Sequence, residues 1–238
     1  MLLAIDIGNT RIKWGLHDGS QWLQLAFTSR GLAHMQADLA GMPERIMVSD
    51  VSADRLSSQM TALFPGLPCH QVLASAQAGG IHNRYDHPEQ LGSDRWLALI
   101  GARHLGARSA IIVNAGTALT VDILHNDEFL GGSITPGYQL MRSALAARTS
   151  LPETGRTELA GFPRDTASAL STGCLSALLG SIHHMQATLT LQTGASAEIW
   201  LSGGDAPLLL PWLACRHEPH LVLEGLLKLA EEVLPCDC

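Results

Sequence analysis

The stretch "LLAIDIGNTRIKWGLHDG" (residues 2–19) decides how the rest of the chain is read. An apolar run, a Gly–Asn–Thr turn and an alternating run predict a strand, a tight turn and a second strand. Yet Asp6 interrupts the first strand, and polar residues crowd the turn. Glycine lets backbone N–H groups come close to a phosphate. Asn9 and Thr10 add neutral hydrogen bonds, and Lys13, one of two lysines in the chain with Lys228, adds a point charge. Asp6 is suited to the hydrated Mg2+ that accompanies a phosphate. The alternative is that Asp6 and Asn9 only cap a turn.

The stretch recurs. Shifted by 108 residues, "AIDIGNTRIKWGLHDG" (4–19) lies over "IVNAGTALTVDILHND" (112–127), with Asp6 on Asn114, Gly8 on Gly116, Asn9 on Thr117 and His17 on His125. Third strands follow in "QWLQLAFT" (21–28) and "EFLGGSIT" (128–135), then helical patterns near 31–41 and 137–148. A repeat this long is no solenoid period. It predicts two related α/β domains, residues 1–107 and 108–238, each a three-strand meander flanked by helices. Within them "RIMVSDV" (45–51) and "AEIWLSGG" (197–204) read as strands. "DRLSSQMTALF" (54–64), "PEQLGSDRWLALIGARHL" (88–105) and "TGCLSALLGSIHHMQATL" (172–189) read as helices. A helical turn is expected near 205–214, and "HLVLEGL" (220–226) leads into a final helix to about Leu234.

The 238 residues are 46% hydrophobic and only 16% charged, with a formal net charge of −7. Such a chain buries a real core. Its sign argues against nucleic acid as a partner. No basic leader opens the chain, and no apolar run reaches membrane-span length, so a cytoplasmic protein without membrane contact is expected. Cys69, Cys174, Cys215, Cys236 and Cys238 have no framework spacing and read as reduced thiols. The tail pair Cys236 and Cys238 lacks the further ligands that a structural zinc site needs. His183 and His184 are adjacent on a helix, so they point apart and share no metal.

"YDHPEQLGSDRW" (85–96) reads as a loop entering a helix that Pro88 starts and Gly92 interrupts. Asp94 and Arg95 are adjacent and leave the helix on different azimuths, able to bracket a substrate. A kinase acting on an alcohol needs a carboxylate to take the hydroxyl proton, and Asp94 fits. Arg95 fits a carboxylate or amide oxygen. A surface ion pair is the alternative.

Taken in order, "DIGNTRIKW" (6–14), "NRYDHPEQLGSDRWLALIGA" (83–102), "NAGTALTVD" (114–122), "GGSITPGYQLMRSAL" (131–145), "DTASALSTG" (165–173) and "LSGGDA" (201–206) resemble the type III pantothenate kinases. That family lies within the superfamily of acetate and sugar kinases, heat-shock chaperones and actin. The resemblance implies two similar ribonuclease H-like domains of actin-like ATPase architecture. It also implies transfer of the ATP γ-phosphate to pantothenate, giving 4′-phosphopantothenate, the first step toward coenzyme A, in a homodimer. Carried over by position, it makes Asp94 the proton acceptor. It gives ATP to Asp6, Ile7, Gly8, Asn9, Thr10, Arg11, Ile12, Lys13 and Thr117, and pantothenate to Tyr85, Gly92, Ser93, Asp94, Arg95 and Thr166. Mg2+ falls to Asp6 and Asp122. The family's monovalent cation, K+ or NH4+, falls to a position where an aspartate is usual and Asn114 stands here, so weaker cation dependence is expected. Two other activities fit the same residues: a related kinase for another hydroxy acid, and a nucleotide-binding regulator without catalysis. "GGSITPGYQLM" (131–141) could close over substrate or fix a strand end, and "LSGGDA" could receive an adenosine or form a tight turn.

Overall fold

The computed structural model describes residues 1–151 and 157–232. They form two compact units. Unit 1 holds residues 1–107, Asp127–Phe129 and the described residues from His220 onward; unit 2 holds Arg108–Asn126 and Leu130–Pro219.

Unit 1 begins with strands β1 (Leu2–Ile7), β2 (Ile12–His17) and β3 (Trp22–Thr28), helix α1 (Leu32–Ala37), strand β4 (Arg45–Asp50), helix α2 (Met60–Leu63) and strand β5 (Cys69–Gln71). The sheet order is β3-β2-β1-β4-β5, antiparallel through the meander and parallel from β1 outward. Alternation sorts the residues between the faces. Leu3, Ile5, Ile7, Trp14, Ile46 and Val48 pack with Leu32 and Met35 of α1 and with Met60 of α2. The opposite face carries Leu2, Ala4, Asp6, Met47 and Ser49. A small hairpin, β6 (Gln77–Ala78) and β7 (Ile81–Asn83), leads to α3 (Ser93–His104). Gly92 is the residue before the first helical turn, and Pro88–Gln90 is a separate 3-10 turn. The expected continuous helix 88–105 therefore begins later, because Leu91 is extended between the two.

Unit 2 repeats the plan with β8 (Ser109–Ala115), β9 (Ala118–His125), β10 (Glu128–Pro136), α4 (Tyr138–Ala146), α5 (Thr166–Thr193), β11 (Glu198–Ser202), α6 (Ala206–Leu209) and β12 (Arg216–His217). Its strand order, β10-β9-β8-β11-β12, matches that of unit 1. The first two residues of β10, Glu128 and Phe129, belong to unit 1, where they pair with His82 and Asn83 of β7. Ile111, Val113, Ala115, Val121 and Ile123 face a core built with Tyr138 of α4 and Leu175, Leu178 and Ile182 of α5. Asp165 caps α5 by accepting hydrogen bonds from the Ser168 N–H and hydroxyl at 2.9 and 2.8 Å. The expected two-unit α/β fold, each unit with a three-strand meander and helices, is the observed one.

The last described helix, α7 (Leu221–Glu232), packs on α3 and on β1 and β4 of unit 1. The sequence reading ran the second domain to residue 238, whereas these residues group with the first unit. "HLVLEGL" is the start of this helix. The rest of the expected final helix, with Cys236 and Cys238, lies outside the described residues. At the crossing of α3 and α7 two glycines meet. A Cβ on Gly101 would come within 2.1 Å of the Leu221 carbonyl oxygen, and one on Gly225 within 2.1 Å of the Leu97 carbonyl oxygen.

Candidate active site

In unit 1 the candidate residues gather at the C-terminal edge of β1. Asp6 stands opposite Lys13 on β2 and Ser49 on β4, so the three side chains share one face of the sheet. The Ser49 and Ser93 hydroxyls are hydrogen-bonded at 2.8 Å, both buried. That bond ties the first turn of α3 to the strand beside Asp6, and so brings Asp94 into the neighbourhood of Asp6 and Lys13. Asp6 is 8% exposed, and its Oδ1 is buried without a hydrogen-bond partner among the described residues. Burial pushes its pKa up to about 7; the Lys13 charge opposes the rise and the Asp94 charge adds to it. Burial also raises Asp94 above the usual carboxylate range, against the Arg95 backbone N–H that donates to its Oδ1 at 2.8 Å.

Gly92 leaves room for that carboxylate, since a Cβ there would lie 2.7 Å from Asp94 Oδ1. Arg95 is 6% exposed. Its Nη1 donates to the Tyr85 hydroxyl at 3.1 Å, and its guanidinium lies 5.9 Å from the ring centroids of both Tyr85 and Phe129. The two rings are 5.1 Å apart and tilted. The adjacent Asp94 and Arg95 side chains therefore part: the acid lies toward Asp6 and Lys13, and the cation lies among aromatic rings.

The β1–β2 turn is closed by the Gly8 N–H donating to the Arg11 carbonyl at 3.1 Å. That bond closes the turn on itself. Asn9 Oδ1 accepts from the Ala53 N–H at 3.3 Å, which fixes the turn to the segment after β4. Thr10 is exposed, and the Arg11 guanidinium stacks 5.3 Å from the Phe27 ring centroid. Ile7 and Ile12, paired at the base of the turn, are core residues.

Unit 2 carries the other candidates. The turn from β8 to β9 is one residue shorter than its counterpart: Ala115 pairs with Leu119, where Ile7 pairs with Ile12. One residue of slip reverses the facing of a whole strand. Asp122 overlies Trp14 in the sequence repeat, a core position. In the structure it pairs with Ile112 and shares its face with Asn114 and Thr120, away from the residues packed on α4 and α5. Asp122 is 1% exposed and Asn114 half-buried. Thr117 sits exposed at the turn, and its carbonyl accepts from the Gly137 N–H at 2.8 Å. The Asp205 N–H donates to the Ala115 carbonyl at 2.9 Å, and Gly203, at φ +101°, packs against the same residue. Both glycine motifs thus converge on the second hairpin turn. Thr166 opens α5 and is exposed.

Ser49 and Phe129 escaped the sequence reading. Ser49 lay in a segment read only as a buried strand. Phe129 lay in a third strand, far along the chain from Arg95. Register opposite Asp6 could have flagged the serine.

A family model described as type III pantothenate kinase matches residues 2–188. A type III pantothenate kinase of Nitrosospira multiformis is 39% identical over 241 residues, covering 98% of this chain and 92% of its own. One from Aromatoleum aromaticum is 40% identical over 240 residues, covering 98% of each. Among solved structures, a candidate Baf family transcriptional activator from Campylobacter jejuni superposes with a TM-score of 0.65 at 20% identity, over 97% of this chain and 98% of its own. A candidate 2-dehydro-3-deoxygalactonokinase from Sinorhizobium meliloti gives 0.62 at 16%, over 99% and 100%. At these identities the two structures speak for the fold alone.

Proposed function

The chain belongs to the type III pantothenate kinase family, an enzyme family that phosphorylates pantothenate with ATP, and from that premise we propose how its residues divide the work. The observation that carries the proposal is the grouping of Asp6, Lys13 and Asp94 around one sheet edge, with the Asp6 Oδ1 buried and unpartnered. An orphaned buried carboxylate oxygen fits a hydrated cation, so Asp6 is the residue that would hold Mg2+ with ATP. When bound, Mg2+ neutralises charge on the β- and γ-phosphates. Asp122 and Asn114 share a face in unit 2; Asp122 is the carboxylate there suited to a divalent cation, and the Asn114 amide oxygen suits a monovalent one.

Lys13 offers its ammonium to the phosphates, with the turn residues 7–12 and Thr117 flanking the nucleotide. Asp94 accepts the proton of the substrate's primary hydroxyl as the new O–P bond forms and the bond to ADP breaks. Its raised pKa brings it nearer the operating pH, where a general base is most effective. Arg95 holds a carboxylate or amide oxygen of pantothenate. Tyr85 and Phe129 keep the guanidinium in place; Gly92, Ser93 and Thr166 complete the substrate side. The family resemblance further supports a homodimer working in the cytoplasm, which sedimentation and fractionation check. Among the described residues no helix is long and apolar enough to cross a membrane.

The test is mass-spectrometric detection of 4′-phosphopantothenate from purified protein, ATP, Mg2+, K+ and pantothenate, beside Asp94→Asn. Product from the parent with a loss of about 10²–10⁴-fold in kcat in the variant is expected. Equal rates would remove Asp94 from its role. Omitting K+ and NH4+ reads the Asn114 site in the same assay.

A further inference from the structure

Strand β7 ends on an amide where an apolar side chain would be ordinary. Alternation puts Asn83 on the same side of the strand as the buried Ile81, and Asn83 is itself 8% exposed. A buried amide is kept for what it bonds. The Asn83 backbone N–H donates to the Ala76 carbonyl at 2.9 Å, and in register the residue stands beside Phe129 of β10. Its side chain bridges the turn that follows. Oδ1 accepts from the Tyr85 N–H at 3.0 Å, and Nδ2 donates to the Pro88 carbonyl at 3.4 Å. One of these groups needs an acceptor and the other a donor, so a single setting of the amide serves both.

Residues 84–87 lie in neither helix nor strand. Such backbone is held by whatever its polar groups bond. The Arg84 N–H donates to the Phe129 carbonyl at 3.1 Å, and the Tyr85 N–H donates to Asn83. Asn83 therefore fixes where Tyr85 stands relative to Phe129. Those are the two rings beside the Arg95 guanidinium, and the Tyr85 hydroxyl also accepts from Arg95 Nη1. At its other end the amide holds Pro88, where the 3-10 turn that precedes Gly92 begins. All of these residues belong to unit 1.

We infer that Asn83 is a positioning residue for substrate recognition: its amide clamps the loop that carries Tyr85, and through Tyr85 it aims the Arg95 fork at the substrate's carboxylate or amide oxygen. The inference rests on the reading of Tyr85 and Arg95 as the pantothenate side of the site. A planar fork loses its paired bonds when it is turned, so the effect falls on pantothenate and not on ATP. An Asx turn that only shaped the loop would cost stability without favouring one substrate over the other.

The test is Asn83→Ala, with steady-state kinetics for each substrate in turn and fluorine NMR of protein labelled with fluorotyrosine. The chain has two tyrosines, Tyr85 and Tyr138, so one signal reports on the loop and the other on unit 2; Tyr85→Phe assigns them. Asn83→Ala should raise KM for pantothenate about 10-fold and leave KM for ATP within about 2-fold. It should shift or broaden the Tyr85 signal and leave that of Tyr138 in place. Added to Tyr85→Phe it should cost little more, because the hydroxyl it steers is gone. Asn83→Asp keeps the acceptor for the Tyr85 N–H and loses the donor to Pro88; it should raise the pantothenate KM about 3-fold, and it carries the kinetic test if Asn83→Ala fails to fold. An unchanged pantothenate KM, equal rises in both KM values, or an unmoved Tyr85 signal would overturn the inference. A parent protein that makes no 4′-phosphopantothenate would instead remove the substrate assignment, and the Tyr85 signal would still decide whether Asn83 sets the ring.

Discussion

Asp6 is a residue kept where it harms the resting fold. Burial lifts its pKa to about 7, so the folded protein holds a proton that the unfolded chain has released above pH about 4. The sign follows: this stability is fully present below the unfolded value and is lost as pH rises through about 7. Asp6→Asn should therefore be more stable than the parent at pH 8, by up to about 4 kcal/mol, with the gap closing toward pH 4 in urea titrations. The same variant should lose Mg2+-dependent ATP binding. Gly92 is the opposite case, a residue whose value lies in what it leaves out. Gly92→Ala presses a methyl group against the Asp94 carboxylate and should lower kcat about 10-fold or more. It should move Tm little, because the displaced atom ends a flexible side chain. Asp6 and Asp94 were legible in the sequence because a carboxylate inside an apolar run, or at a glycine-marked helix start, breaks a local pattern. Phe129 breaks none; a phenylalanine in a strand is ordinary until the chain places it over Arg95.

At the scale of elements, the duplicated hairpins could be read before any fold was known, since strands of period 2 and a glycine turn leave a pattern that survives a shift of 108 residues. The one-residue difference in turn length could not. It lies in the pairing of β8 with β9, which an ungapped overlay hides, and it decides which face Asp122 occupies. Helix contacts were equally hidden. The crossing of α3 and α7 rests on glycines that in sequence look like weak points. Gly225→Ala should destabilise the protein by about 2–3 kcal/mol, because the new methyl group meets backbone at 2.1 Å and neither helix can yield cheaply. Gly180→Ala, in α5 with open space around it, should be neutral or stabilising by up to about 1 kcal/mol. Denaturant titrations of the pair test whether close approach or propensity governs each glycine.

For the whole molecule, the boundary between the two units near residue 107 could be sought in the repeat, but the return of α7 to unit 1 could not. An amphipathic helix announces that it covers something, never which sheet it covers. Ending the chain after Pro219 should leave the Leu2, Ala4 and Met47 face and one side of α3 bare. The truncated protein should lose cooperative unfolding of unit 1 by circular dichroism and hydrogen exchange, while unit 2 keeps its protected core.

The placement of α7 also sets an order of events at the ribosome. Residues 1–107 emerge first, yet the helix that closes their sheet is translated after all of unit 2. The usual sequence, with the earlier half finished before the later half appears, is reversed: the interior half has its whole chain in hand while the leading half still waits for its last piece. During that interval the nascent chain shows an unfinished apolar sheet, the kind of surface that chaperones hold.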